Sequence, residues 1–355
     1  FININNMSNQ SFQTLKELPI PLDRSQCVLH KHELLICGGY QQRACYSYNT
    51  LKNEYKFICE YPSDIDYMDT VYEDRDQATL LSFGGYYKHS LVMKYVSVWS
   101  NISNKSDQLN NYNEWVSFTD NQNHPIIIGK DQGDYQGVRA VIGGSNSHLL
   151  FITYPSYNIS VFNLNTFQFI KHDILPTNYY IYYHCFVSNS ENGQGQEMMK
   201  TNKQNDQILL FCKNTGLSIE YDEDNNTFQF HHLPVCKDLA RLNRYAYVCT
   251  NGAILFFGGW NGYYGTRAVV SKSVYKYSIQ ENKWMTLQNT LPSPLYNCVT
   301  ILIEEDNHVH IIGGQDDKET AVLTHMKTKM RLFDHSLLVM ICLFICFDET
   351  QIMDK

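Results

Sequence analysis

Four mostly apolar residues followed by a two-residue turn position recur six times along the chain. The copies are Leu34 to Cys37 before Gly38-Gly39, Leu80 to Phe83 before Gly84-Gly85, and Leu149 to Ile152 before Thr153-Tyr154. The others are Leu209 to Cys212 before Lys213-Asn214, Ile254 to Phe257 before Gly258-Gly259, and Val309 to Ile312 before Gly313-Gly314. Short apolar runs bounded by turn residues are the signature of buried strands. Four copies add a pair of aromatics seven positions apart around a polar turn: Tyr48 and Tyr55, Phe162 and Phe169, Tyr221 and Phe228, Tyr277 and Trp284. Each pair predicts a strand, a tight turn and a strand. A repeat therefore reads as four short strands, and repetition at this period predicts an array of small sheets.

The order of diglycine, tyrosine and tryptophan resembles the kelch repeat, with copies one and five closest to the pattern. The resemblance spans about residues 12–332 and implies an all-β, six-bladed kelch-type β-propeller with four-stranded blades. The blades are expected at about 24–62, 67–119, 138–175, 182–234, 244–292 and 298–327. Residues 1–11 and 333–355 are left as tails, the latter without an assigned role. Copies three and four lack the diglycine. Asn214 tolerates a left-handed backbone whereas Thr153 does not, so the third turn needs another geometry. Gly143-Gly144 falls too early and is read as the turn between the first two strands. Insertions are expected near Asn101 to Asn111, and from Ser188 to Asp206.

Copy six has no aromatic pair after its diglycine. Phe12-Gln13-Thr14-Leu15 running into Leu18-Pro19-Ile20-Pro21-Leu22 parallels Trp284-Met285-Thr286-Leu287 running into Leu291-Pro292-Ser293-Pro294-Leu295. Residues 12–18 are thus expected to be an outer strand that completes the sixth blade and closes the ring.

Composition narrows the function. A net charge of −8 argues against nucleic acid. The apolar run from Leu337 to Phe347 is shorter than a membrane span. Of 11 cysteines, several sit within strand-like runs as small hydrophobes. With no export signal at the start, the chain reads as cytoplasmic. His30 with His32, His308 with His310, and His231 with His232 read as solvated histidines near turns. No cofactor is expected.

Loops joining second to third strands should emerge on one face of the disc. They carry Tyr40 and Arg43; Tyr86, Tyr87, Lys88 and His89; Tyr154 and Tyr157; and Trp260, Tyr263, Tyr264 and Arg267. Arg24, Arg139 and Arg244 each lie 14 residues before a turn position, which puts them at one place, just before a first strand, on the same face. Tyr, Trp and Arg dominate binding hot spots, and arginines grip carboxylates through paired N–H donors. Packing against neighbouring blades is the alternative for the tyrosines beside the turns, and a bond to a backbone carbonyl is the alternative for the arginines.

The expected function is a monomeric, non-catalytic propeller that binds a protein or peptide as a scaffold or adaptor. A copper-dependent, oxidase-like enzyme of the kelch type and a carbohydrate binder are the other two readings.

Overall fold

The computed structural model describes residues 11–63, 70–74, 79–85, 89–100, 112–129, 135–188, 207–250 and 252–330. They form six antiparallel sheets of four strands. Blade one shows the pattern with strands Gln26–His30, Glu33–Gly39, Gln42–Asn49 and Glu54–Glu60. Blades two to five span 70–117, 139–174, 185–232 and 246–286. The first strands of blades one and two, three and four, five and six, and six and one touch, along the inner side of the ring.

Hydrophobicity follows position in the blade. Second strands are covered on both faces, so Glu33–Gly39, Leu149–Tyr154 and Ala253–Phe257 are buried throughout. Fourth strands have one wet face, and Gln168–Ile174 alternates accordingly. The aromatic pairs lie directly opposite each other on third and fourth strands. Their ring centroids are 4.8 to 5.1 Å apart. Three turns share a lock: Tyr48, Tyr221 and Tyr277 donate to the Oδ1 of Asn53, Asn226 and Asn282, each in the left-handed region.

The ring closes as expected. Gln13 and Thr14 pair with Lys327 and Met326 of strand His325–Lys329, outside His308–Ile312 and Val299–Ile303. Backbone bonds continue from Leu15 to His325 and from Leu18 to Leu323, at 2.9 and 3.0 Å. Phe12 is buried among Leu287, Leu291, Ile311 and Met326 in the core between blades five and six. Leu18 and Leu22 are buried with Leu34, Ile36 and Ile312 between blades six and one.

The diglycines have a steric cause. A Cβ on Gly258 would lie 2.0 Å from the Leu295 carbonyl, and one on Gly313 would lie 2.3 Å from that of Leu22. The glycine that follows, Gly259 or Gly314, donates to that same carbonyl of the next blade. The copies without diglycine turn otherwise. Lys213, not Asn214, takes the left-handed conformation, at φ 51°. Leu150 lies opposite Phe162 as Leu34 lies opposite Tyr48, so the third block begins one residue later than its apolar pattern suggests. Thr153 remains in the strand, and Ser156 and Tyr157 make the turn, both at φ 68°. Gly143 ends a first strand and Gly144 lies in the turn after it, as expected. The insertions at 101–111 and 189–206 and the tails at 1–10 and 331–355 lie outside the described residues.

One expectation fails at the seam. His310 is not a solvated turn residue; it lies in a strand and is 2% exposed. Tyr55 of blade one hydrogen-bonds to His325 Nδ1, and His325 Nε2 meets His310 Nδ1 at 2.9 Å. A hydrogen bond between the two rings needs an unprotonated nitrogen at that contact, so at least one imidazole is neutral. Burial lowers both pKa values, that of His310 to about 4. His32 is exposed beside Glu305, and His231 and His232 are exposed, as the solvated reading expects, whereas His30 ends a first strand half-buried against Tyr95.

Three outcomes follow from these contacts. Phe12→Ala should cost about 3–5 kcal/mol, read from denaturant unfolding. Gly258→Ala should lower the melting temperature well beyond Gly265→Ala. Gly265 has a similar φ but nothing within 4 Å of its Cβ position, so it incurs only the left-handed cost of roughly 1–2 kcal/mol. Because the unfolded chain binds protons on these histidines that the folded ring refuses, stability should be full above about pH 6.5 and fall toward about pH 4. Urea midpoints measured along that range check the sign, and His310→Phe should flatten the decline.

Candidate binding face

The two loop families do share one face. The Tyr40 N–H donates to the Asp23 carbonyl at 2.9 Å, tying the blade-one loop after the diglycine to the segment leading into the first strand. Asn243 with Trp260, and Tyr296 with Gln315, exchange backbone bonds in the same way in blades five and six. Side chains repeat the pairing. The Arg24 guanidinium lies 4.6 Å from the Tyr40 ring, that of Arg244 lies 5.0 Å from the Trp260 ring, and Asn297 donates to Gln315 at 3.0 Å.

The residue two before each described first strand is held in the left-handed region: Arg24, Gly137, Tyr183, Arg244 and Asn297, at φ 48 to 71°. The segment before the first strand of blade two lies outside the described residues. For a side chain as bulky as tyrosine or arginine this conformation is uncommon and needs support from its surroundings. Support comes from bonds between blades. Arg24 donates its N–H to the Asn297 carbonyl, Asn297 to that of Arg244, and Tyr183 to that of Gly137. Among the described residues this belt of bonds runs from blade five through six to one, and from blade three to four, along the mouth of the central channel. There a cavity of about 180 Å³ is lined by Arg24, Arg139, Tyr183, Arg244 and Asn297, among others.

Tyr183 is the hub. The guanidiniums of Arg24, Arg139 and Arg244 lie 5.6, 5.8 and 4.9 Å from its ring centroid. Cations over an aromatic face are held by its quadrupole. Asp23, with a side chain 5% exposed, lies 3.6 Å from Arg24 Nε. Burial raises the Asp23 pKa, and Arg24 and Arg244 oppose that rise. Burial, with a further push from Arg139, lowers the pKa of His184, whose Nε2 contacts Thr153 Oγ1.

The three arginines meet in space, but not at one place in the repeat. Arg139 lies two residues beyond the position of Arg24 and Arg244, which Gly137 occupies in blade three. The first hairpin of blade three is three residues longer, since Ile142 faces Leu150 where Leu29 faces Leu34. Counting back from the turn therefore lands two residues late. A shift of two along a strand preserves the face, so Arg139 still reaches the mouth. It also donates to the Val138 carbonyl at 2.9 Å, the backbone bond left open as its alternative.

The other expected residues divide by burial. Trp260 is 3% exposed, stacks on Tyr296 and donates to the Tyr263 carbonyl, so it supports the face from beneath. Tyr154 is equally buried, stacked on Tyr135 and bonded to Ser160. Arg43 lies in a third strand, paired with Glu60 at 2.6 Å, and lines a separate hollow with Ile20 and Tyr46. Tyr157 is half-buried against Tyr180, whereas Tyr263, Tyr264 and Arg267 are exposed. His89 opens a third strand and contacts Ser82. Tyr86, Tyr87 and Lys88 lie outside the described residues.

Sequence reasoning missed the segment Tyr179, Tyr180, Tyr182 and Tyr183, which leads into blade four. Its run of tyrosines directly before a strand was the available signal. Among the described residues no three His, Cys, Asp or Glu side chains are arranged to hold a metal ion. No described helix is long and apolar enough to cross a membrane.

Residues 241–290, which contain blade five, match the model of the Kelch motif. No curated protein matches the chain. A solved structure titled "Structure of YjhT" is similar in fold, with a TM-score of 0.59 at 14% identity over 88% of this chain and 96% of that one. With six four-stranded sheets, glycine turns fitted against neighbouring carbonyls and the motif match in blade five, the chain is a six-bladed β-propeller that carries a Kelch motif.

Proposed function

We propose that this propeller is a non-catalytic module that binds a protein or peptide on the face around the channel mouth, as a scaffold or adaptor. The observation that carries this reading is the convergence of Arg24, Arg139 and Arg244 on Tyr183 inside a rim of exposed tyrosines. Tyr180, Tyr263 and Tyr264 are 57%, 59% and 67% exposed, the most exposed aromatic side chains among the described residues. A rim that offers apolar area beside fixed cations has the composition of a hot spot. The floor is rigid, because Trp260 and Tyr40 are pinned by the belt, so little ordering opposes association.

The same proposal places the protein in a reducing compartment. Cys37, Cys45, Cys185, Cys212 and Cys298 are free and buried in the cores between blades, where they act as small hydrophobes.

Affinity capture from cell extract tests the reading. Wild type should retain a defined partner, and the pair Tyr263→Ala with Tyr264→Ala should lose most of it without a change in melting temperature. Arg244→Glu should do the same. Retention of the partner by both variants would show that another surface is used.

A further inference from the structure

We propose that the channel mouth is a carboxylate site whose ligand also carries an N–H or O–H donor beside the acid group. This rests on the same face as the proposed function and assigns the chemistry of its centre.

Charge comes first. Of the side chains lining the cavity, Arg24, Arg139 and Arg244 are cationic, and the adjoining anion is Asp23. Three guanidiniums against one buried carboxylate leave a local positive excess on a chain whose net charge is −8. Low-dielectric walls focus such a field at the opening and draw anions to it. Like charges gathered on one ring repel each other, and an anion arriving among them relieves that repulsion.

Hydrogen bonding sharpens the assignment. Arg244 Nε is a buried donor without a hydrogen-bond acceptor from the protein, and Arg24 Nε has only Asp23 Oδ2 at 3.6 Å. Buried polar groups are nearly always paired, so each such donor calls for an explanation. A carboxylate offers two oxygens to guanidinium N–H groups and matches their planar fork. Asn297 supplies the complementary half. Its Nδ2 is committed to Gln315, while its buried Oδ1 has no donor from the protein. In ring order Asn297 lies between Arg244 and Arg24, joined to both by backbone bonds. An acid group among the arginines thus places its neighbouring N–H or O–H toward an acceptor.

Size and backbone geometry agree. About 180 Å³ holds the head of one acidic residue or a small hydroxy or amido acid, not a folded surface. Tyr183, Arg244, Arg24 and Asn297 are all held left-handed, a cost repeated blade after blade. Strain of this kind, maintained by the surrounding structure, is found where side chains must be aimed.

The experiment is calorimetric titration of wild-type protein with N-acetylglutamate, the carboxylate-free N-acetylglutaminamide, inorganic phosphate and an amidated peptide with one internal glutamate. At least one carboxylate probe should bind about tenfold or more tightly than N-acetylglutaminamide and phosphate. Arg244→Gln and Asn297→Leu should each weaken that probe by about tenfold. Binding of the free acid alone would assign the mouth to small molecules, and binding of the peptide would assign it to an acidic residue of a partner; both support carboxylate chemistry. Equal binding of the glutaminamide probe or of phosphate, or no binding of either carboxylate to folded wild type, would overturn it. If partner capture still depended on Tyr263 and Tyr264 in that last case, the binding face would stand and this inference alone would fail.

Discussion

A blade of this protein has two faces and no core of its own. Among the described residues the buried apolar side chains form six clusters, and each joins adjacent blades: one with two, two with three, and onward to six with one. Every blade therefore depends on both neighbours, and an open ring would leave two faces wet. Closure is imposed by the hydrophobic effect and not by a special sequence at the join. Segment 11–22 meets this demand twice, since Phe12 fills the wedge between blades five and six while Leu18 and Leu22 fill the next.

The same wedge geometry explains the glycines. Neighbouring blades are closest near the axis, where the carbonyls of Leu22 and Leu295 reach the diglycine turns of the preceding blades. A side chain there would push two blades apart. Glycine is thus a consequence of blade-to-blade distance, and the turn merely accommodates it. Where blade three substitutes Tyr154 and Pro155, a stack with Tyr135 replaces the close approach.

Fold was legible in the sequence because its causes are periodic. Apolar blocks, aromatic pairs and the parallel between 12–22 and 284–295 all survive insertion, since each is read locally. Register was less legible. A longer hairpin in blade three moved Arg139 by two positions, and the insertion between the first two strands of blade four hid Tyr183 from any count taken back from the turn. Burial was least legible. Trp260, Tyr263 and Tyr264 belong to one loop, yet the first is packed under the face and the other two stand on it. That difference is set by Tyr296 and Arg244, which are contributed by residues distant in sequence. The burial of His310 was illegible for a similar reason: its partner His325 and the Tyr55 hydroxyl beyond it come from a neighbouring strand and a neighbouring blade.

Stability and recognition meet in the belt at the channel mouth. The bonds from Arg24 to Asn297 and from Asn297 to Arg244 fasten one blade to the next. They also hold those backbones left-handed and so fix where the side chains point. Positions that bear the ring's closure are rigid by necessity. A fixed cation loses little entropy when an anion arrives, which makes the most constrained part of the propeller its best platform for a charged ligand. Tyr263 and Tyr264 stand exposed in a loop that packs on Trp260, outside the belt's own bonds. On the proposed reading the division is physical: the centre supplies charge at fixed positions, and the rim supplies area that can be varied to suit a partner.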